Sequence, residues 1–242
     1  MLWRILSSGR KCSYTVLVIQ FINSHPVLTC RKRAPRWRTL VCCADPCSYL
    51  PCSWDIVSRY GSTNRDLPHA FFSDWARVAL DESKHFTLLT KRLAEISPET
   101  PYGSFPVNAG LWESARGTFH SLRSRLAIIH LVHEARGLDV NPATVEKFRR
   151  SGDMDSVAIL QVIHTDEVTH VTAGHRWFSW MCKNEGVDPI QTFREEVRLG
   201  WKGDIRGPFN EEDRAKAGMT KDFYTGLTGE KGDASKVPIG YE

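Results

Sequence analysis

One short motif, Asp-Glu-x-x-His, occurs twice in the sequence, at residues 81–85 and at residues 166–170. Residues three apart lie on one face of a helix, so the glutamate and the histidine of each copy share a face. The other positions of both faces are apolar or small: Trp75, Val78, Leu89 and Leu93 around the first copy, and Leu160, Ile163, Gly174, Trp177 and Met181 around the second. The sequence therefore predicts two helices that each bury a glutamate and a histidine in the middle of a core-facing stripe.

Buried carboxylates need compensation, because an unpaired carboxylate destabilises a protein interior unless it binds a metal ion. Glu82 and His85 can offer an oxygen and a nitrogen to one ion, and Glu167 and His170 can do the same for a second ion. Facing helices with Glu-x-x-His motifs are typical of bundles that bind a pair of iron or manganese ions. The alternative is that both pairs lie on solvated helix faces, which their apolar neighbours disfavour.

A third stretch, 111–136, also has helical periodicity and offers further carboxylates. Glu134 shares a face with Leu131 and Ala127, so we expect it to join the metal site. The alternative for Glu134 is an exposed position at a helix end. Glu113 is the other candidate carboxylate of this stretch.

Three more residues are candidates for supporting the ligands. Asp81 and Asp166 precede the motif glutamates and lie about 100° round the helix from them. They either accept a hydrogen bond from a ligand histidine or are solvated. His164 lies three residues before Glu167 and is a candidate alternative ligand. The other histidines of these stretches are interpreted as packing or surface residues: His120, His130, His133 and His175.

Composition divides the chain near residue 65. Residues 1–65 carry a net charge of +8 and six of the seven cysteines, whereas residues 66–242 carry a net charge of −4. We interpret 1–65 as a basic, cysteine-rich and poorly ordered leader, 66–227 as the folded domain, and 228–242 as a disordered tail. Because the positive charge lies in the leader, it does not indicate nucleic-acid binding by the folded domain, and the sequence has no clear nucleic-acid-binding motif.

The leader also bears on the location of the protein. We expect a cytoplasmic protein, or a mitochondrial one if the basic start is a presequence. A secretory signal with residues 16–22 as its apolar part, or a segment foreign to the domain, are the other interpretations. No apolar run approaches the roughly 20 residues that a membrane span needs.

Capping and breaking residues predict the helix boundaries. We expect helices at 66–96, 111–136, 142–150, 154–185 and 193–200. Gly137 is expected to end the second of these, and Asn141-Pro142 to begin the next. Because no alternating strand pattern follows residue 66, the predicted fold class is all-α.

Taken together, these stretches resemble domain-of-unknown-function family 455, an uncharacterised branch of the ferritin-like superfamily. The resemblance covers 72–227 and rests on segments such as Glu-Ala-Arg-Gly-Leu-Asp at 134–139, together with 74–86, 110–113, 166–171, 176–178, 208–210 and 217–218. It implies a ferritin-like four-helix bundle with two iron ions, or manganese ions, bound by Glu82, His85, Glu134, Glu167 and His170. More distantly, the chain is similar to tRNA-hydroxylating di-iron enzymes.

The chain departs from the family at the first bundle helix. The resemblance implies an earlier helix that carries a sixth ligand, a glutamate, but residues 40–70 contain no glutamate and show no matching helical stripe. We therefore expect this helix to be missing or replaced, with Asp55 as a candidate substitute. Three carboxylates do not balance two ferrous ions, so about one ion is expected to bind tightly.

The resemblance implies an oxidoreductase or hydroxylase that uses dioxygen and acts on a small molecule or a tRNA. One alternative is an iron-binding protein without an organic substrate. The other is a truncated, catalytically inactive isoform, which the missing sixth ligand favours.

Overall fold

The structure, a computed structural model, describes residues 46–64, 66–99, 102–104 and 110–229, and these are mostly helical. The long helices are α1 (Pro46–Tyr60), α2 (His69–Ile96), α5 (Ala135–Arg150) and α6 (Met154–Glu185). The shorter helices are α3 (Gly110–Gly117), α4 (Leu122–Arg125), the π-helix π1 (Leu126–Glu134), α7 (Pro189–Gly200), α8 (Glu211–Lys216) and α9 (Lys221–Tyr224). Two short strands, β1 (Gly203–Asp204) and β2 (Thr228–Gly229), complete the described elements.

The two helices that carry the repeated motif are confirmed. α2 begins after Pro68, and α6 begins after Asp153, whose side chain accepts a hydrogen bond from the backbone N–H of Ser156. α6 ends at Gly186, which has a φ of 69° in the left-handed region that glycine adopts without strain. Both helices are long enough to place the motif well inside the protein.

The prediction of a single helix over 111–136 is wrong. α3 ends at Gly117, and Ser121 caps a new helix that continues through α4, π1 and α5. The chain therefore stays helical past Gly137 and Pro142, where a break was predicted. Asn141 does not cap a helix, because its side-chain amide donates to the backbone oxygen of Leu160 on α6. Packing of α5 against α6 thus overrides the local stop signals.

α1 lies in the segment that was expected to be a poorly ordered leader without a helical stripe. Its buried side chains include Cys52, Ile56 and Tyr60, which recur every four residues and form one face. α1 packs along α2, and the Tyr60 hydroxyl donates to the backbone oxygen of Thr118 at 2.8 Å. The prediction that residues up to 60 take no part in the core is therefore wrong for α1. Residues 1–45 lie outside the described residues.

The predicted tail also begins too early. β1 and β2 pair in antiparallel register, with Gly203 opposite Gly229 and Asp204 opposite Thr228. Gly229 is buried, and a Cβ at this position would lie 2.2 Å from the backbone oxygen of Trp201. The strands are too short to show an alternating pattern, which is why the sequence did not indicate them. Residues 230–242 lie outside the described residues.

Two apolar clusters occupy different lengths of α2 and α6. One includes Phe71 and Trp75 of α2 with Trp177 of α6, and the other includes Leu89 of α2 with Leu160 of α6. The middle of both helices lies between these clusters, and this is where the repeated motif falls. Among the described residues, no helix is long and apolar enough to span a membrane.

Candidate metal centre

The two motif copies face each other across the α2–α6 interface. Glu82 and His85 of α2 are each 1% exposed, and His170 of α6 is fully buried. The Glu167 side chain is 17% exposed. Four ionisable side chains therefore meet in an interior bounded on both sides by apolar clusters, and the solvated-face alternative does not hold for these pairs.

Each motif glutamate spans both motif histidines. The Oε2 atom of Glu82 lies 3.7 Å from Nδ1 of His85, and its Oε1 atom lies 3.2 Å from Nδ1 of His170. Glu167 does the same from the other helix, with Oε1 3.9 Å from Nδ1 of His85 and Oε2 3.6 Å from Nδ1 of His170. Both imidazoles thus turn the same nitrogen inward, and both carboxylates reach from one imidazole to the other.

The aspartates of the motif lie near the outer nitrogens of the histidines on the opposite helix. Nε2 of His85 lies at hydrogen-bond distance, 2.9 Å, from Oδ2 of Asp166. Nε2 of His170 lies 3.6 Å from Oδ2 of Asp81, beyond hydrogen-bond distance. Because a carboxylate oxygen accepts hydrogen bonds, Asp166 favours a proton on Nε2 of His85, and Nδ1 is then the nitrogen that faces inward and is available to a metal ion. Lys84 contacts both aspartates, at 2.8 Å from Asp81 and 2.6 Å from Asp166.

π1 brings two more side chains toward the cluster. Glu134 is buried and lies within electrostatic range of Glu82, His85 and His170. His130 is fully buried against the Trp75 ring, with 4.3 Å between ring centroids. The sequence assigned His130 to packing or the surface, and only its spacing of four residues from Glu134 indicated a shared face.

Burial and neighbouring charges act in opposite directions on the pKa values of this cluster. Burial lowers the pKa of His85, but Glu82, Asp166 and Glu167 together outweigh burial and raise this pKa overall. The pKa of His170 is well above its usual range, because Asp81 and the two motif glutamates outweigh burial. Burial raises the pKa of Glu134 to about 8. The raised pKa values favour the protonated forms of these groups, so a metal ion that binds here competes with protons.

The donor atoms fit a metal ion. Glu82, His85 and Glu167 each offer one ligand atom within 4.8 Å of the others. Within the described part of the chain, several buried oxygen and nitrogen atoms of this cluster lack a hydrogen-bond partner: Oε1 of Glu82, both carboxylate oxygens of Glu134 and both ring nitrogens of His170. Buried polar atoms are normally satisfied, so this concentration of unsatisfied oxygen and nitrogen atoms makes the cluster a candidate cation site.

Three other candidates lie elsewhere. Glu113 is exposed on α3. Asp55 forms ion pairs with Arg59 and Arg125, at 2.7 Å and 2.8 Å. Nε2 of His164 lies 2.9 Å from Oδ2 of Asp213 on α8. Among the described residues, none of the three forms a hydrogen bond or an ion pair with the four motif side chains, so neither Glu113 nor Asp55 supplies the sixth ligand, which would be a fourth carboxylate.

Comparison with known proteins gives a family and one relative. The model of the family described as "Protein of unknown function (DUF455)" matches residues 49–225, which span α1 to α9. An "Uncharacterized protein" of Haemophilus influenzae is 38% identical over 152 residues, which cover 63% of this chain and 52% of the relative. The chain thus spans about half the length of this curated relative. No solved structure matches the chain.

Proposed function

This chain belongs to the DUF455 family, and on that premise we propose that its Glu/His cluster is a carboxylate-bridged di-metal centre in a ferritin-like bundle. One observation supports this most strongly: Glu82 and Glu167 each direct one oxygen toward His85 and the other toward His170. A carboxylate placed in this way can bridge two ions, each of which has its own imidazole.

The proposed bundle consists of α1, α2, the helix that runs through π1 and α5, and α6. α1 packs on α2, α2 packs on α6, and α6 packs on both π1 and α5. The ligands come from three of these helices: Glu82 and His85 from α2, Glu134 from π1, and Glu167 and His170 from α6. The resemblance implied an earlier helix, which was expected to be missing or replaced in this chain. In the proposed bundle α1 takes its place, and the α1 sequence contains no glutamate.

The proposed ions are iron, with manganese as the alternative. When bound, an iron pair supplies the redox chemistry of dioxygen-dependent oxidation or hydroxylation. The protein orients the ligand side chains and surrounds them with apolar residues. Asp166 holds the proton on the outer nitrogen of His85, and the flanking apolar clusters keep Glu82, His85 and His170 buried. The substrate class, a small molecule or a tRNA, is inferred from the resemblance alone.

The absent sixth ligand, which would be a fourth carboxylate, sets an expected limit on metal occupancy. Three carboxylates carry less negative charge than two divalent ions need, and the two candidate substitutes lie elsewhere. We infer that one ion binds tightly and the second weakly. Weak binding of the second ion also supports the alternative functions, which are an iron-binding protein without an organic substrate and an inactive isoform.

The test is the metal content of the chain purified from iron-supplemented cells. Wild-type protein should retain iron, and Glu82→Gln should retain little, because the substitution removes a carboxylate shared by both ions. Glu95→Gln is the matched control, since Glu95 lies on the same helix with a half-exposed side chain. Equal iron in wild-type protein and in Glu82→Gln would contradict the proposal, as would the absence of any bound transition metal.

A further inference from the structure

His130 is a buried histidine whose surroundings are those of a metal ligand. It is fully buried, and neither of its ring nitrogens has a hydrogen-bond partner among the described residues. Its Nδ1 atom nevertheless lies 2.8 Å from Oε2 of Glu134, an atom that also lacks a hydrogen-bond partner. The two groups are thus in close contact without the alignment of a hydrogen bond.

This separation suits two ligands of one ion. Protein nitrogen and oxygen ligands lie about 2.0–2.2 Å from a small divalent ion. Two such ligands at a right angle are about 3 Å apart, close to the distance between Nδ1 of His130 and Oε2 of Glu134. A histidine and a carboxylate without an ion at this distance would instead be expected to align as a hydrogen-bonded pair.

The fold places His130 close to the α6 half of the cluster. π1 packs on α6 at Gly174, one turn beyond His170. A Cβ at Gly174 would lie only 2.6 Å from Cβ of His130, so glycine is needed for this close approach. In a helix with hydrogen bonds from i to i+5, residues four apart stay on one side, so His130 and Glu134 point the same way.

We propose that His130 is a further protein ligand of the metal centre and binds, together with Glu134, the ion on the His170 side. This inference rests on the proposed function. It makes that ion the tightly bound one, with imidazole ligands from both π1 and α6. No carboxylate supports the outer nitrogen of His130, whereas Asp166 supports His85. His130 is therefore a weaker ligand than His85.

The experiment titrates the full chain, stripped of metal, with Mn(II) and follows free Mn(II) by electron paramagnetic resonance. His130→Leu should weaken the first, tight binding step by about tenfold or more, the scale on which metal sites respond to loss of supporting groups. Pulsed measurements at less than one Mn(II) per chain should show nitrogen coupling from two imidazoles in wild-type protein and from one in His130→Leu. His133→Leu is the matched control, because His133 faces away toward Ser114 and Trp201.

Measurements of protein stability with and without Mn(II) distinguish a metal ligand from a residue that only packs in the core. Leucine removes a buried, unsatisfied imidazole, so the metal-stripped His130→Leu protein should be as stable as wild type, while its stabilisation by Mn(II) should be smaller. Unchanged Mn(II) affinity and unchanged nitrogen coupling in His130→Leu would overturn the inference and leave the proposed function standing. If wild-type protein binds Mn(II) no better than the Glu82→Gln variant, the proposed function itself fails. If His130→Leu does not fold, His130→Gln, which keeps a polar side chain but removes the imidazole, gives the same nitrogen-coupling test.

Discussion

Shortening Ile56 to alanine tests whether α1 is part of the folded core. Ile56 is fully buried and belongs to the same apolar cluster as Trp75 and Leu126. The substitution removes three carbon atoms, worth about 2.4 kcal/mol at about 0.8 kcal/mol each. The remaining cavity adds to this cost, and the higher helix propensity of alanine recovers a few tenths. We expect a loss of about 3 kcal/mol in the free energy of unfolding.

Urea denaturation followed by circular dichroism measures this loss, and thermal unfolding should show a midpoint about 6–12 °C lower for a folded unit of this size. Ser58→Ala is the control, because Ser58 is exposed on the same helix and the substitution also introduces alanine. It should change stability by less than about 0.5 kcal/mol. If both variants unfold at the same urea concentration, α1 does not contribute to the core and the packing described for it is wrong.

Three further predictions follow from the geometry of the site and its helices. Gly174→Ala should lower the free energy of unfolding by about 1–3 kcal/mol, because the added methyl group overpacks the contact with π1. Gly137→Ala should raise it by about 0.5–1 kcal/mol, because nothing lies within 4 Å of the new Cβ. Denaturation midpoints that shift in the same direction for both would contradict this. Asp166→Asn should weaken the second Mn(II) binding step about 10–100-fold, because a neutral amide replaces the carboxylate that contacts His85. Asp155→Asn, at an exposed position, should not weaken it, and equal affinities of the two variants would refute the supporting role. Metal affinity should fall as the pH is lowered through the raised pKa values of the motif histidines, because an ion must displace their protons. Calorimetry in buffers of different ionisation enthalpy counts the released protons, and binding without proton release would contradict the account.

The sequence predicted the elements whose signal is long and periodic. α2 and α6 repeat their apolar stripe over many turns, and the same stripes identified Glu82, His85, Glu167 and His170 as neighbours. Their convergence follows from two helices packing by those stripes. A local pattern of this length leaves little freedom for another arrangement.

The parts that the sequence missed depend on tertiary contacts. α1 has a short buried face that includes Cys52 and Ser53, so its apolar signal is weak, and it becomes clear only when α2 packs against it. The break predicted at Gly137 does not occur, because α5 is held against α6. π1 depends on a hydrogen-bond pattern that side-chain periodicity does not encode, and so the inward position of His130 was not predicted.

The most direct test of the central claim is whether Glu82 and Glu167 bridge two ions. Mn(II) should bind to the metal-stripped full chain in two steps, the first tight and the second weak. As the second ion binds, the resonance signal of the first should change to that of an exchange-coupled pair, because shared carboxylates connect the two spins. Two bound ions whose signals stay magnetically independent would contradict the bridging arrangement, as would a chain that binds Mn(II) equally well after Glu82→Gln.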